Sequence, residues 1–286
     1  MEVILAKSAG FCFGVERAIQ LVYEQIEKNK DGRKIYTFGP IIHNDIVVKE
    51  LEEKGVSVFD EEDALQKIAG SILIIRSHGV AKAVYEKTKE QGITIVDATC
   101  PFVKKIHNIV AEHSEKGEEI VIIGDGDHPE VKGIIGWAKG KVTVIKNEAE
   151  AQAFAPDGNA PVCVVSQTTF HHSNFQYLVE ILEGKGYDTC TINTICNATQ
   201  ARQEEAGSVA HLADKMIVIG DPKSSNTQKL FSICKENCKD TYYIQTLKDF
   251  DNVDLQETKI VGITAGASTP NNIIQEVFLY VRGKKL

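Results

Sequence analysis

The chain predicts an α/β fold of three pseudo-equivalent units, and three observations carry that expectation. Strand-like apolar runs alternate with helix-period runs along the whole length, the pattern of parallel strands joined by helices. A cysteine stands at a strand-to-helix junction three times, at Cys12, Cys100 and Cys196. The last unit lacks a closing strand, and the N-terminal run VILA, just ahead of Cys12, is available to supply it. The expected units are residues 13–98, 99–194 and 195–286, with residues 1–12 completing the third. Repeats this long are not a solenoid, so a closed ring of small domains is expected.

The elements follow in order. Val15, Ala18, Ile19, Val22 and Ile26 recur at helical spacing until Asp31-Gly32 stops them. The strand KIYTF leads into the turn GPIIHN, a helical run over Ile46, Val47 and Leu51, and the strand VSVF. The strand ILII leads into RSHG, a helix from about Val80 to Gln91, and the strand ITIV. The cycle restarts at DATCPFVKKI, where Pro101 takes a favoured first helical position. EIVII then leads into GDGDHPE, VTVI follows, and VCVV leads into SQTT and a helix ending near Gly184-Gly186. DTCTI runs toward the third start, NTICNATQ. MIVIG leads into DPKSSN, KIVGI into TAGAST, and a last helix reaches about Val281.

The polar loops repeat at matching distances. His43, His128 and Ser224 lie 31, 28 and 28 residues after the three cysteines, and His78, Thr168 and Ser268 lie 66, 68 and 72 after them. Ligands of α/β sheets sit beyond the carboxyl ends of the strands, where these loops fall. Hydroxyl, amide and imidazole groups at helix starts suit an anion. Capping alone would account for a single Ser224, but not for three histidines at related positions. No nucleotide-binding glycine loop of the usual kinds is present. Glu130, the carboxylate of HPE, reads equally as a first-turn residue or as a proton donor.

Seven cysteines in a chain expected to be cytoplasmic are not a disulfide framework. Three thiols at helix starts could bind zinc or an iron–sulfur cluster. A structural zinc site wants a fourth protein ligand and usually CxxC pairs, which are absent. A [4Fe–4S] cluster on three cysteines leaves one iron open. Phe11, Phe13 and Phe102 would shield such a centre from water. Cys163 and Cys190 fall within strands and read as core; Cys234 and Cys238 read as two positions on one helix face. A net charge of −8 argues against a nucleic-acid surface, and no apolar run is long enough to span a membrane.

The motifs GFCFGVERA, SHGV, DATCPFV, GDGDHPEV, SQTT, CNATQARQEEA, DPKSSNT and TAGASTP resemble the 4-hydroxy-3-methylbut-2-enyl diphosphate reductase (LytB) family from about residue 3 to 281. The resemblance implies a trefoil around a central [4Fe–4S] cluster held by Cys12, Cys100 and Cys196. It implies a diphosphate site of His43, His78, His128, Ser224, Ser225, Asn226 and Ser268. Thr168 would orient the substrate hydroxyl and relay a proton from Glu130, with His128 the third catalytic candidate. The implied reaction expels the hydroxyl as water and yields isopentenyl or dimethylallyl diphosphate, with ferredoxin or flavodoxin as electron donor. Phe13, where relatives often carry a small residue, and Glu16 in place of Asp are the departures. Two other classes remain open at this stage. One is an iron–sulfur hydro-lyase, distinguished by not consuming reductant. The other is a non-catalytic iron–sulfur sensor, distinguished by tolerating loss of the polar loops.

Overall fold

The computed structural model describes residues 1–283; residues 284–286, the tail of the third expected unit, lie outside them. The first stretch of chain forms β1 (Glu2–Leu5), α1 (Phe13–Lys28), β2 (Ile35–Phe38), α2 (Asp45–Glu53), β3 (Val56–Phe59), β4 (Ile72–Ile75), α3 (Lys82–Glu90) and β5 (Thr94–Asp97). The second forms α4 (Pro101–Glu115), β6 (Glu119–Ile123), α5 (Pro129–Ile135), β7 (Val142–Ile145), α6 (Glu148–Ala153), β8 (Val162–Ser166), α7 (His172–Glu183) and β9 (Thr189–Thr191). The third forms α8 (Asn197–Leu212), β10 (Lys215–Ile219), α9 (Ser225–Asn237), β11 (Thr241–Ile244), β12 (Ile260–Ala265) and α10 (Asn271–Gly283).

Among the described residues the strands make three four-stranded parallel sheets, ordered β3-β2-β4-β5, β7-β6-β8-β9 and β11-β10-β12-β1. Each sheet has the same plan. Its first strand takes the second on one side and the third on the other, and a fourth strand closes the far edge. In the third sheet that fourth strand is β1, with Glu2, Val3, Ile4 and Leu5 in register with Ile260, Val261, Gly262 and Ile263.

Burial follows the plan. Strands β4, β6 and β8 are buried along their whole length, as two-sided parallel strands must be, while the edge strands β5 and β9 are only partly covered. Alternation divides the second sheet between two cores. Val121, Ile123, Val162 and Val164 pack with Phe170, Phe175, Leu178 and Leu182. Ile120, Ile122, Cys163 and Val165 pack with Ile106, Val110, Val131 and Ile134. Two elements had no clear sequence signal: α6 is barely more than one turn, and β11 is a half-covered edge strand.

The chain divides into two compact units. One comprises Met1–Glu16, Ile42–Lys49 and the chain from Cys196 on, and holds the third sheet; the other comprises Arg17–Ile41 and Glu50–Ile195, and holds the first two. Within the latter, the loop after β4 is fastened to the end of α5. Trp137 donates its Nε1–H to the Val80 carbonyl at 2.9 Å, and Lys82 N–H reaches the Gly136 carbonyl at 3.3 Å. Ala81 is extended, and α3 starts at Lys82 rather than at the expected Val80.

His107 of α4 stacks on Trp137, with centroids 4.9 Å apart and planes within 14°. Burial pushes its pKa down to about 4, so it is neutral. Gly79 lies against this ring at φ +72°, and a Cβ there would stand 2.6 Å from His107 Cε1. Both the backbone and the space require glycine. Gly79→Ala should therefore destabilise the fold by about 2 kcal/mol, read as a lower urea midpoint with an unchanged m-value.

Candidate active site

The strand order selects the loops. In a sheet wound this way the chain leaves the first and third strands in opposite directions, and a crevice opens where their carboxyl ends part. The loops after β2 and β4 carry His43 and His78; those after β6 and β8 carry His128, Glu130 and Thr168. The loops after β10 and β12 carry Ser224, Ser225, Asn226 and Ser268. Each cysteine follows the fourth strand of a sheet: Cys100 after β5, Cys196 after β9 and Cys12 after β1.

In the two-sheet unit the central feature is a carboxylate on a threonine. Glu130 is 2% exposed. Its Oε1 accepts the Thr168 N–H at 2.6 Å, and its Oε2 accepts the Thr168 Oγ1–H at 2.7 Å. Burial raises the Glu130 pKa to about 6, against the opposing pull of those two hydrogen bonds. Sequence left Glu130 equally a first-turn residue or a proton donor; in the structure it stands in the first turn of α5 with its carboxylate buried. His128 caps α5, its Nδ1 accepting the Glu130 N–H at 3.1 Å. That bond requires an unprotonated Nδ1, so the neutral ring carries its proton on Nε2. The His78 ring meets His128 edge-on, with centroids 5.3 Å apart.

Gln167, which sequence reasoning passed over, ties these loops. Its Oε1 accepts the Asp125 N–H at 3.1 Å and its N–H reaches the Ile123 carbonyl at 2.9 Å. Its place between Ser166 and Thr168 in SQTT was the available signal. Cys100 is the N-cap residue of α4, and its N–H bonds the Ser77 carbonyl at 3.0 Å, one residue from His78.

In the other unit, Asn44 is buried and works in two directions. Its Oδ1 accepts the Ile46 and Val47 N–H groups, capping α2, and its Nδ2 donates to the Ser268 carbonyl at 2.9 Å. Ser268 Oγ returns a bond to the His43 carbonyl at 2.9 Å. Ser224 caps α9 by accepting the Thr227 N–H. Asn226 accepts the Ala267 N–H at 2.9 Å, while its buried Nδ2 has no hydrogen-bond partner among the described residues. A buried donor left this way is costly unless a ligand meets it. Lys223 is exposed and paired with Asp45 at 2.7 Å, so the donors of these loops are amide, hydroxyl and imidazole groups.

The cysteines separate by environment. Cys12, Cys100 and Cys196 are half-buried. Cys163 and Cys234 are fully buried, and burial pushes both thiols up to about 12. Two sequence expectations are corrected. Cys190 is exposed rather than core, because β9 is an edge strand. Cys238 does not share a helix with Cys234: α9 ends at Asn237, and Cys238 is extended and turned to the carbonyls of Ala213 and Asp214. Phe13 and Phe102, expected as shields, are 62% and 41% exposed.

A family model described as LytB protein matches residues 3–282. The chain belongs to the LytB family. Among curated LytB relatives, the 4-hydroxy-3-methylbut-2-enyl diphosphate reductase of Caldanaerobacter subterraneus subsp. tengcongensis is 48% identical, over 100% of this chain and 98% of its own. The enzyme of the same name from Clostridioides difficile is 44% identical, over 98% and 99%. Two solved structures are similar. The E-1-hydroxy-2-methyl-but-2-enyl-4-diphosphate reductase of Plasmodium falciparum gives a TM-score of 0.90 at 31% identity, over 98% of this chain and 87% of that one. A second reductase, described as the terminal enzyme of the non-mevalonate pathway, gives 0.70 at 37% identity, over 99% and 100%. The LytB chain should show its cysteine classes to an alkylating reagent. Iodoacetamide at pH 8 should modify Cys190 in the native protein and spare Cys163 and Cys234, as read by peptide mass spectrometry.

Proposed function

We propose that the chain reduces 4-hydroxy-3-methylbut-2-enyl diphosphate to isopentenyl and dimethylallyl diphosphate, the last step of the non-mevalonate route. The observation that carries this reading is the buried Glu130–Thr168 pair, an acid with a raised pKa wired to a hydroxyl. Removing a hydroxyl as water requires such a proton source.

Cys12, Cys100 and Cys196 would hold a [4Fe–4S] cluster. They suit it as half-buried thiols at helix starts, unlike the fully buried Cys163 and Cys234. The cluster, when bound, supplies single electrons and an iron without a protein ligand that acts as a Lewis acid. Ferredoxin or flavodoxin, both one-electron carriers, would be the donor. His43, His78, His128, Ser224, Ser225, Asn226 and Ser268 would bind the diphosphate. The unpartnered Asn226 Nδ2 and the His128 Nε2–H support that role by supplying donors.

Thr168 donates its hydroxyl proton toward Glu130 in the ionised state. When Glu130 is protonated the direction reverses, and the threonine oxygen passes a proton on to the departing hydroxyl. With a pKa of about 6, roughly one Glu130 in ten is protonated at pH 7. Two electrons and two protons enter, the C4–O bond breaks, and water leaves. The second proton goes to either end of the allylic carbon skeleton, which gives the two products.

Glu130→Gln keeps the shape but cannot deliver the proton. It should retain iron and substrate affinity yet turn over at least about a hundredfold more slowly in an anaerobic assay with reduced viologen. In the unsubstituted enzyme the acid-dependent rate should be flat below pH 6 and fall about tenfold per unit above it, and Glu130→Gln should lack that limb. Stability moves the other way. The folded pKa lies above the unfolded value, so burying the charged form costs about 2 kcal/mol above pH 6 and nothing well below pH 4.5. Glu130→Gln should therefore melt no lower than the parent at pH 8. Normal turnover at full iron content would remove Glu130 from the mechanism, and turnover without reductant consumption would overturn the reduction itself.

Asn226→Ala should weaken inorganic pyrophosphate binding by about 1–3 kcal/mol, measured by calorimetry. An unchanged affinity would take Asn226 out of the anion site.

A further inference from the structure

Helix α8 begins at Cys196, its N-cap residue, and six residues on it carries Arg202. This arginine is 4% exposed. Its guanidinium is turned onto the segment that leads to Cys12. Nε donates to the Ser8 carbonyl at 2.8 Å, and Nη2 donates to the Ser8 carbonyl and to the Gly10 carbonyl at 2.7 Å. One turn later, on the same face, Glu205 accepts the N–H groups of Lys7 and Ser8, each at 2.8 Å. The carbonyls of Ser8 and Gly10 and the amides of Lys7 and Ser8 are thus answered by two side chains of a single helix. Gly10 takes φ +103°, and a Cβ there would stand 3.0 Å from Ile274 Cδ1, so the segment has little freedom to follow another path.

The charges are arranged as purposefully as the hydrogen bonds. Burial works against the guanidinium charge, and Cys12 and Cys196 are the foremost groups that favour it, ahead of Glu205. The Glu205 carboxylate is occupied by backbone amides, and among the described residues it forms no ion pair with Arg202. The guanidinium is therefore left to the carbonyls of the segment that leads to Cys12, on the helix that begins at Cys196.

We propose that Arg202 is a positioning residue that locks the Cys12 loop to the Cys196 helix and holds a positive charge against the iron–sulfur group those cysteines bind. The proposal rests on the reading of Cys12 and Cys196 as cluster ligands. Two consequences follow from physical chemistry. The fork of donors restrains two ligand loops at once, which slows loss of iron. The fixed charge favours the more negative, reduced state of the group.

The test uses anaerobically reconstituted full-length protein and reads iron release to a chelator and the reduced-to-oxidised ratio in an electron paramagnetic resonance titration. Arg202→Gln should release iron at least about tenfold faster, and at a fixed potential its ratio of reduced to oxidised cluster should fall about tenfold. Arg202→Lys keeps the charge and loses the fork, so its ratio should stay near the parent's while iron release accelerates. If Arg202→Gln does not fold, Arg202→Lys carries the test. Parental iron release in Arg202→Lys, or a parental ratio in a folded Arg202→Gln, would overturn the proposal. Cys12→Ser separates the two levels. Full iron in that variant would refute the ligand reading. Iron loss there with unaltered Arg202 variants would refute the role of Arg202 alone.

Discussion

In a parallel sheet every strand ends on the same side, and the order shared by all three sheets places their first and third strands at the centre. The rest of the molecule depends on that constraint. It decides which loops lie together and in what sequence order they arrive. The polar side chains leave the two central strands, and the cysteines leave the fourth. The third sheet obeys the same plan only because β1 pairs with β12, so the N-terminal strand is structurally the end of the last repeat. That pairing also sets Cys12 where Arg202 and Glu205 of α8 can reach its loop.

Helix capping is carried by side chains of the polar loops. His128 caps α5 through Nδ1, which fixes its proton on the opposite nitrogen. Ser224 caps α9, and Asn44 caps α2 while holding the Ser268 loop. Asn44 does both with one amide, its oxygen accepting at the helix end and its Nδ2 donating to the Ser268 carbonyl. The arrangement also makes the loops stiff before any ligand arrives, which lowers the ordering cost of binding.

The interior is otherwise conservative about charge. Glu130 is buried with Thr168 as its partner, Arg202 is buried on backbone carbonyls, and His107 is kept neutral beneath Gly79. These three groups each sit next to a site loop, bound to the backbone or hydroxyl of that loop or packed on its glycine. Lys223, by contrast, is exposed and pairs with Asp45.

Much was legible in the sequence because it depends on local period. Strand and helix alternation, the recurrence of a cysteine at Cys12, Cys100 and Cys196, and the polar loops all follow from which residues recur and where. The motifs around them identify the LytB family for the same reason. What sequence could not give required knowing which strands are neighbours and which are edges. Cys190 looks like core until β9 proves to be an edge strand, and Cys238 looks helical until α9 stops one residue earlier. Glu130 and Thr168 are 38 residues apart, and Arg202 and Gly10 are 192 apart. Their hydrogen bonds exist only because parallel pairing returns distant loops to the same end of a sheet. Local pattern decided the elements and their chemistry; the shift of Glu130 toward pH 6 and the clamp on the Cys12 loop come from burial, which only the assembled fold provides.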